Sequence, residues 1–294
     1  MTFLQQTINA LWLGSVYSLF ALGYALVFSV LGVLNLAHSA VFMWGAYLGW
    51  FAATRLSLPL PLAGLVAVLG AGILGVLLDM LAFAPLRKRE APRISQLISS
   101  MGVALVLVRL AQIAFSAQPQ YFPMDAYLSQ TIPLLPVKIT VIQAAIFVIA
   151  ILLMIVLGLA IRYTRQGRAM RAVAFDSQTA ALFGVPVEIY YRSVFFISGA
   201  LAGAAGMLYG LAFNNVLPFM GDSVALKGLT IIVLGGLGNI EGAVIGGFVV
   251  AALEVASIAF GGSTYRDAII FLLLILVLLI RPQGLLGVKK TTKV

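Results

Sequence analysis

For its first 54 residues the chain carries no formally charged side chain; the first is Arg55. A stretch of that length has room for two crossings of about 20 apolar residues each, so the opening of this protein can only be membrane-spanning. No basic segment precedes the apolar stretch, which predicts a retained first span rather than a cleaved signal peptide. The remainder of the 294 residues continues in kind, with 62% hydrophobic and 9% charged residues, against about 25% charged in an ordinary soluble domain. A fold of class all-α follows: a polytopic transmembrane helical bundle of about eight or nine spans, placed near 8–30, 31–54, 60–83, 94–115, 139–161, 193–213, 224–238, 241–260 and 267–281.

Basic residues fall in patches between these spans: Arg87, Lys88, Arg89 and Arg93; then Arg162, Arg165, Arg168, Arg171 and Arg192; then Arg281, Lys289, Lys290 and Lys293. The net charge of +9 is therefore membrane topology, not a nucleic-acid footprint. All three patches are assigned to the cytoplasm, which puts the amino terminus outside and the carboxyl terminus inside. Segment 224–238 is short and holds Lys227, and a re-entrant hairpin of it with 241–260 would leave seven crossings with the same parity. Neither the cytoplasmic loop near 162–192 nor the outer loop near 116–138 is long enough for a further domain, so residues 1–294 read as one transmembrane domain. The chain has no cysteine, which excludes disulfides, thiolate metal sites and cysteine nucleophiles. It also has no G-x-x-x-x-G-K-[ST] loop, so any ATP-driven work belongs to another polypeptide.

Two segments interrupt the apolar helices in similar ways. Gly32-Val33-Leu34-Asn35-Leu36-Ala37-His38-Ser39 lies in the first half and Gly236-Leu237-Gly238-Asn239-Ile240-Glu241-Gly242 in the second, each with an Asn three residues after a Gly. Paired interruptions point to a transporter's pathway, because unwound backbone is tolerated at membrane depth only against protein or a watery cavity. The competing reading is close helix packing through glycine. On the pathway reading Asn35, His38, Ser39, Asn239, Glu241 and Glu254 are substrate-pathway candidates. His38, the only histidine, is more often hydrogen-bonded structure than a proton relay in such a position and has no second His or Cys with which to hold a metal. Glu254 is costly to bury without a partner, and Asp267 reads as a boundary ion pair with Arg266.

The 162–192 loop has its own pattern. Arg168 and Arg171 share a helical face, with Met170, Val173 and Ala174 on a more apolar side. Asp176 reads as the N-cap of a short helix from Ser177 to Phe183, Gly184 as its C′ residue and Pro186 as its stop. Two short helices of this kind make a knob able to dock in a partner's groove, or else a basic loop lying on anionic headgroups.

Four segments together resemble one family. Gly32 to His38 leading into Gly45-Ala46-Tyr47, the Gly167 to Ala174 loop with Ala180 to Val185, Gly235 to Gly247, and Arg281-Pro282-Gln283-Gly284-Leu285-Leu286-Gly287 occur in the order and spacing of the branched-chain amino acid ABC importer permeases, on the LivH-like side. Ser39, where the family often has Gly, and Phe175, where a polar residue is usual, are departures. The resemblance covers nearly the whole chain. It implies a permease subunit in a bacterial plasma membrane that translocates branched-chain or other neutral amino acids and is not itself an enzyme. It also implies a homologous second permease of the LivM type, two cytoplasmic ATPases, an extracytoplasmic substrate-binding protein, and no cofactor in this chain, with ATP and Mg bound by the ATPases. Gly167, Arg168, Arg171, Asp176, Ala180 and Gly184 become the residues that couple to the ATPases. Urea and short-chain amide importers share this permease type. Two other classes fit less well: an ion-coupled transporter or channel, for which few membrane-depth ionisable groups are present, and an intramembrane protease, for which neither Gly-x-Ser-Gly nor Gly-x-Gly-Asp occurs.

Overall fold

Helices carry most of the described residues because in a bundle that crosses a membrane a helix satisfies its own backbone. The computed structural model describes residues 3–123, 130–134 and 137–287; Lys289, Lys290 and Lys293 of the third basic patch lie outside them. The helices are α1 (Phe3–Leu31), α2 (His38–Thr54), α3 (Leu60–Leu78), α4 (Ala84–Lys88), α5 (Arg93–Phe115), α6 (Val141–Tyr163), α7 (Arg165–Phe175), α8 (Ser177–Leu182), α9 (Val187–Phe213), α10 (Met220–Gly235), α11 (Ile240–Ala259) and α12 (Arg266–Ile280). Among the described residues seven segments are long and apolar enough to cross a membrane: α1, the continuous α3–α4 segment, α5, α6, α9, α11 and the Ser263–Ile280 segment containing α12. The two further spans expected from sequence are α2, with 17 residues, and α10, with 16, both short of the helix length that fills a bilayer core of about 30 Å.

α1 and α9 form the centre. Over most of its length α1 is buried on every side, and α9 lays a row of small residues against α2 and α3. Gly45 of α2 meets Gly203 of α9 backbone to backbone, and a Cβ on Gly206 would collide with the carbonyl oxygen of Phe42. Close approach through small residues is how helices gain contact in a solvent as apolar as their own side chains. By contrast α5, α6 and α12 stand at the periphery with large exposed apolar side chains, Ile113, Leu152 and Leu279 among them.

Several boundaries differ from those read in the sequence. The span expected at 60–83 runs on to Lys88 through a π-helical turn, Asp79–Phe83. There Asp79, fully buried, is paired with Arg87, whose guanidinium also reaches Glu188 at 3.2 Å and lies over the ring of Tyr191. The outer loop expected near 116–138 runs over 116–140, and an antiparallel pair, β1 (Thr131–Leu134) and β2 (Val137–Thr140), occupies part of it. Thr140 then opens α6 with a capping box: its hydroxyl accepts from the Gln143 N–H, while the Gln143 side chain accepts from the Thr140 N–H. The cytoplasmic loop expected to reach 192 ends sooner, since α9 starts at Val187.

Contacts at the helix ends sort the bundle into two poles. At one, Gly32 lies beside Arg93, Arg87 beside Glu188, Gly238 beside Ser29, and Gly236 beside Gly287. At the other, Gln5 exchanges hydrogen bonds with the Lys138 backbone, Trp50 donates to the Tyr121 carbonyl, and Gln120 pairs with Val216. The patches around Arg87–Arg93, Arg162–Arg171 and Arg281 all belong to the first pole.

Candidate translocation site

The two interruptions noted in the sequence have different fates. After Gly32, at φ +66°, the chain does not run straight into the next helix but folds back along α1. Asn35 holds this turn with its side-chain oxygen, which accepts from the Ala37 N–H at 3.1 Å, while its carbonyl accepts from the His38 N–H. The Leu36 N–H donates to Ser100 of α5. In consequence α2 begins deep in the bundle. His38 packs against Phe20 and Gly23, near the middle of α1.

His38 itself is 2% exposed and fully engaged. Nε2 lies 3.1 Å from the Phe20 carbonyl oxygen and so must donate there, leaving Nδ1 to face the Ser198 hydroxyl at 3.3 Å; Ser198 in turn donates to the Gly23 carbonyl. The ring stacks on Tyr24. This is a three-helix junction of α1, α2 and α9, the hydrogen-bonded reading of the residue. Ser39 follows, buried, its hydroxyl donating to the Leu36 carbonyl.

A second helix also begins inside the bundle, and the sequence reading missed it. Asn214 ends α9 in a left-handed conformation, its side chain accepting from the Phe122 N–H, and residues 215–219 lead inward to α10. Gly221 abuts the Ser39 carbonyl so closely that a Cβ would not fit, and farther along α10 Lys227 meets Tyr17 while Gly228 meets Phe20. Asn214-Asn215, Pro218 and Gly221 were the available signals for this break. Where the starts of α2 and α10 converge beside α5 there is a small open pocket of about 90 Å³, lined by Ser39, Met43, Leu105, Val108, Phe219 and Asp222 among others.

The second sequence interruption is elsewhere. Asn239 caps α11 through an acceptance from the Gly242 N–H at 2.9 Å and donates to the Leu286 carbonyl at 2.7 Å. With Leu285 N–H bonded to the Leu234 carbonyl and Leu286 N–H to that of Gly235, it pins the 281–287 segment to the α10–α11 turn at the basic pole. Glu241 is exposed in the first turn of α11, where the helix dipole favours a carboxylate. Neither residue joins the cluster around Ser39.

Glu254 stands apart as well. It is buried and paired with Lys227 of α10 at 2.5 Å; the Tyr17 hydroxyl donates to its other oxygen and accepts from Lys227. Arg266 and Asp267 at the start of α12 flank this pair and lie 3.8 Å from each other, as the adjacent charges suggested. Lys227 looked like a mere interruption in sequence, although a Lys and a Glu in two neighbouring apolar segments are each other's natural counter-charge.

The knob matches its sequence reading closely. Thr164 caps α7 by accepting from Gly167 N–H, Asp176 caps α8 by accepting from the N–H groups of Gln178 and Thr179, and Gly184 follows at φ +80°. Hydrogen bonds from the Thr179 hydroxyl and both amides hold the Asp176 carboxyl below the usual carboxylate range. Met170 and Val173 are buried against the bundle. So are Gly167, where a Cβ would strike the Ile161 carbonyl, and Ala180. Those two shape the knob rather than present a surface. Arg168, Arg171, Asp176 and Gly184 are exposed, and so are Phe175, Leu182 and Phe183 at more than 80% each; Phe175 stands out in the sequence as apolar where a polar residue is usual, while the exposure of Leu182 and Phe183 was not foreseen.

Two helices that start at mid-depth, around a pocket at their meeting point, are the arrangement found around the pathway of membrane transporters. Residues 6–278 match the family described as branched-chain amino acid transport system / permease component. The chain is 34% identical to the high-affinity branched-chain amino acid transport system permease protein LivH of Escherichia coli (strain K12), over 99% of this chain and 98% of that protein. LivH of Salmonella typhimurium is similar to the same degree and extent, as is permease protein BraD of Pseudomonas aeruginosa. The chain belongs to this family of permease components.

Proposed function

We propose that the chain is the translocating subunit of an ATP-driven importer for branched-chain amino acids, set in a bacterial plasma membrane as one domain over residues 1–294. The observation that carries this reading is similarity over essentially the full length to LivH and BraD. In this account the subunit pairs with a second, homologous permease, receives substrate from an extracytoplasmic binding protein, and carries no cofactor. ATP and Mg are held by two cytoplasmic ATPases. The pole that gathers the basic patches faces the cytoplasm by the positive-inside rule, with the amino terminus outside.

The ATPases dock on the α7–α8 knob. Its exposed Phe175, Leu182 and Phe183 supply apolar anchors, and Arg168 and Arg171 the charge, in the manner of a helix laid in a groove. Closure of the ATPases moves the knob and, through α7 and α9, the elements packed on them. Substrate passes beside the converging starts of α2 and α10, with Asn35 and His38 holding that geometry and Ser39 at the passage itself. Glu254 keeps α10 in place through Lys227, and Asn239 with Glu241 serves the α11 turn.

Purification from native membranes tests the assignment. A bound second permease and two ATPases, with ATP-dependent leucine uptake after reconstitution with the binding protein, are expected. Uptake of urea or a short amide in place of leucine, or leucine flux without ATP, would overturn it.

A further inference from the structure

We infer that Asp222 is the receptor for the substrate's ammonium group, in a subsite whose other walls take its aliphatic side chain. This inference rests on the proposed function and adds a residue to it.

Asp222 lies on the first turn of α10, next to Gly221, which abuts Ser39 at the level where α2 starts beside the middle of α1. An ionisable group at such depth is costly unless it is paired or faces water. The buried and half-buried carboxylates of the described bundle each have a counter-charge: Asp79 has Arg87, Glu188 has Arg87, and Glu254 has Lys227. The Asp222 side chain has neither hydrogen bond nor ion pair among the described residues. It is exposed into the pocket that Ser39, Met43, Leu105, Val108 and Phe219 also line, and it is the one formal charge on that lining.

A lone anion on an otherwise apolar wall selects a solute with one cationic group and a hydrocarbon body. An aliphatic amino acid fits: its ammonium meets Asp222, with the Ser39 hydroxyl near, and its side chain lies along Met43, Leu105 and Val108. Urea and short amides bring no cation and leave the carboxylate unpaired. The neighbouring pocket beside Lys227 and Asp267 differs in this respect, because its charges already answer one another.

The absence of cysteine from the chain allows a direct test that bypasses the specificity of the binding protein. In the purified complex with Leu105→Cys, labelling by a small polar thiol reagent should slow at least about threefold with millimolar leucine. It should not slow with 4-methylpentanoate, which is leucine without its amine. In the Leu105→Cys/Asp222→Asn background leucine protection should vanish, and in Leu105→Cys/Asp222→Glu it should persist. Equal protection by leucine and 4-methylpentanoate, or protection that survives Asp222→Asn, overturns the ammonium assignment; no protection at all overturns the subsite. ATP-driven leucine uptake by the complex of the unsubstituted chain, measured in parallel, separates the cases: uptake without protection at position 105 removes the subsite alone, whereas absence of uptake removes the function on which it rests.

Discussion

The Gly32–Asn35 and Gly236–Asn239 segments look like counterparts in sequence and do opposite work in the fold. The first turns the chain back into the bundle, and its Asn bonds only to its own turn, through Ala37 N–H and His38 N–H. The second closes a hairpin at the basic pole, and its Asn bonds to Gly242 and to the distant Leu286. A Gly-x-x-Asn pattern specifies a tight turn with a capped helix after it. Whether that turn lies in the interior or at the end depends on where the next helix finds a seat. α2 finds one on α9, where Gly203 and Gly206 admit its backbone. The true counterpart of the first break is the Asn214–Phe219 segment, which delivers α10 to the same depth.

The largest expected effect comes from loosening that second mid-depth start. Lys227→Met strips Glu254 of its partner, at a cost of about 3–5 kcal/mol for a broken buried pair. Folded complex should be scarce and its melting temperature sharply lower, while Lys227→Met/Glu254→Gln recovers most of the loss. A single mutant as stable as the parent would mean that the pair does not hold α10. Next comes the interior Asn. Asn35→Leu leaves the buried Ala37 N–H without an acceptor, at about 1–3 kcal/mol, and displaces the start of α2. Uptake per assembled complex should fall about five- to 150-fold, as expected when that much free energy is withdrawn from the working geometry. Asn239→Leu should cost only about 1 kcal/mol through the lost cap and leave uptake per complex near the parent value. A reversal of these two outcomes would restore the α11 turn to the pathway.

The smallest effect concerns the knob, far from both breaks. The Asp176 carboxyl is held below its ordinary value by Thr179 and Gln178, so it favours the capped state above the carboxylate's unfolded range, and that contribution is lost as pH falls through the lowered folded value. Amide exchange at Gln178 and Thr179 should therefore be slow at neutral pH and quicken only in acid. Asp176→Asn, which also caps, should stay protected, whereas Asp176→Ala should exchange quickly throughout.

Much of this was legible in the sequence because it is local. Asp176, Gly184 and Pro186 announce α8 and its ends, and the apolar side of α7 at Met170 and Val173 is the side that packs. Helix class and the common pole of the basic patches follow from composition and parity. What was not legible is which turns are interior. That depends on backbone fits such as Gly221 on Ser39 and Gly206 on Phe42, which link residues more than 150 positions apart and leave only a glycine in the sequence. The Glu254–Lys227 pair escaped for the same reason, since each charge is visible alone and their meeting requires the packing of α10 on α11. Exposed Phe175 and Phe183 were readable as apolar residues, but their orientation away from the bundle was not.

The central claim is that substrate passes where α2 and α10 begin and not at the α11 turn. Single cysteines at Ser39 and Asn239, modified in the reconstituted complex with a bulky methanethiosulfonate, compare the two places directly. The account predicts that modification at position 39 stops leucine uptake and that reduction of the mixed disulfide restores it, while modification at 239 leaves uptake intact. Uptake unaffected by a bulky group at 39, or blocked reversibly at 239, would contradict it.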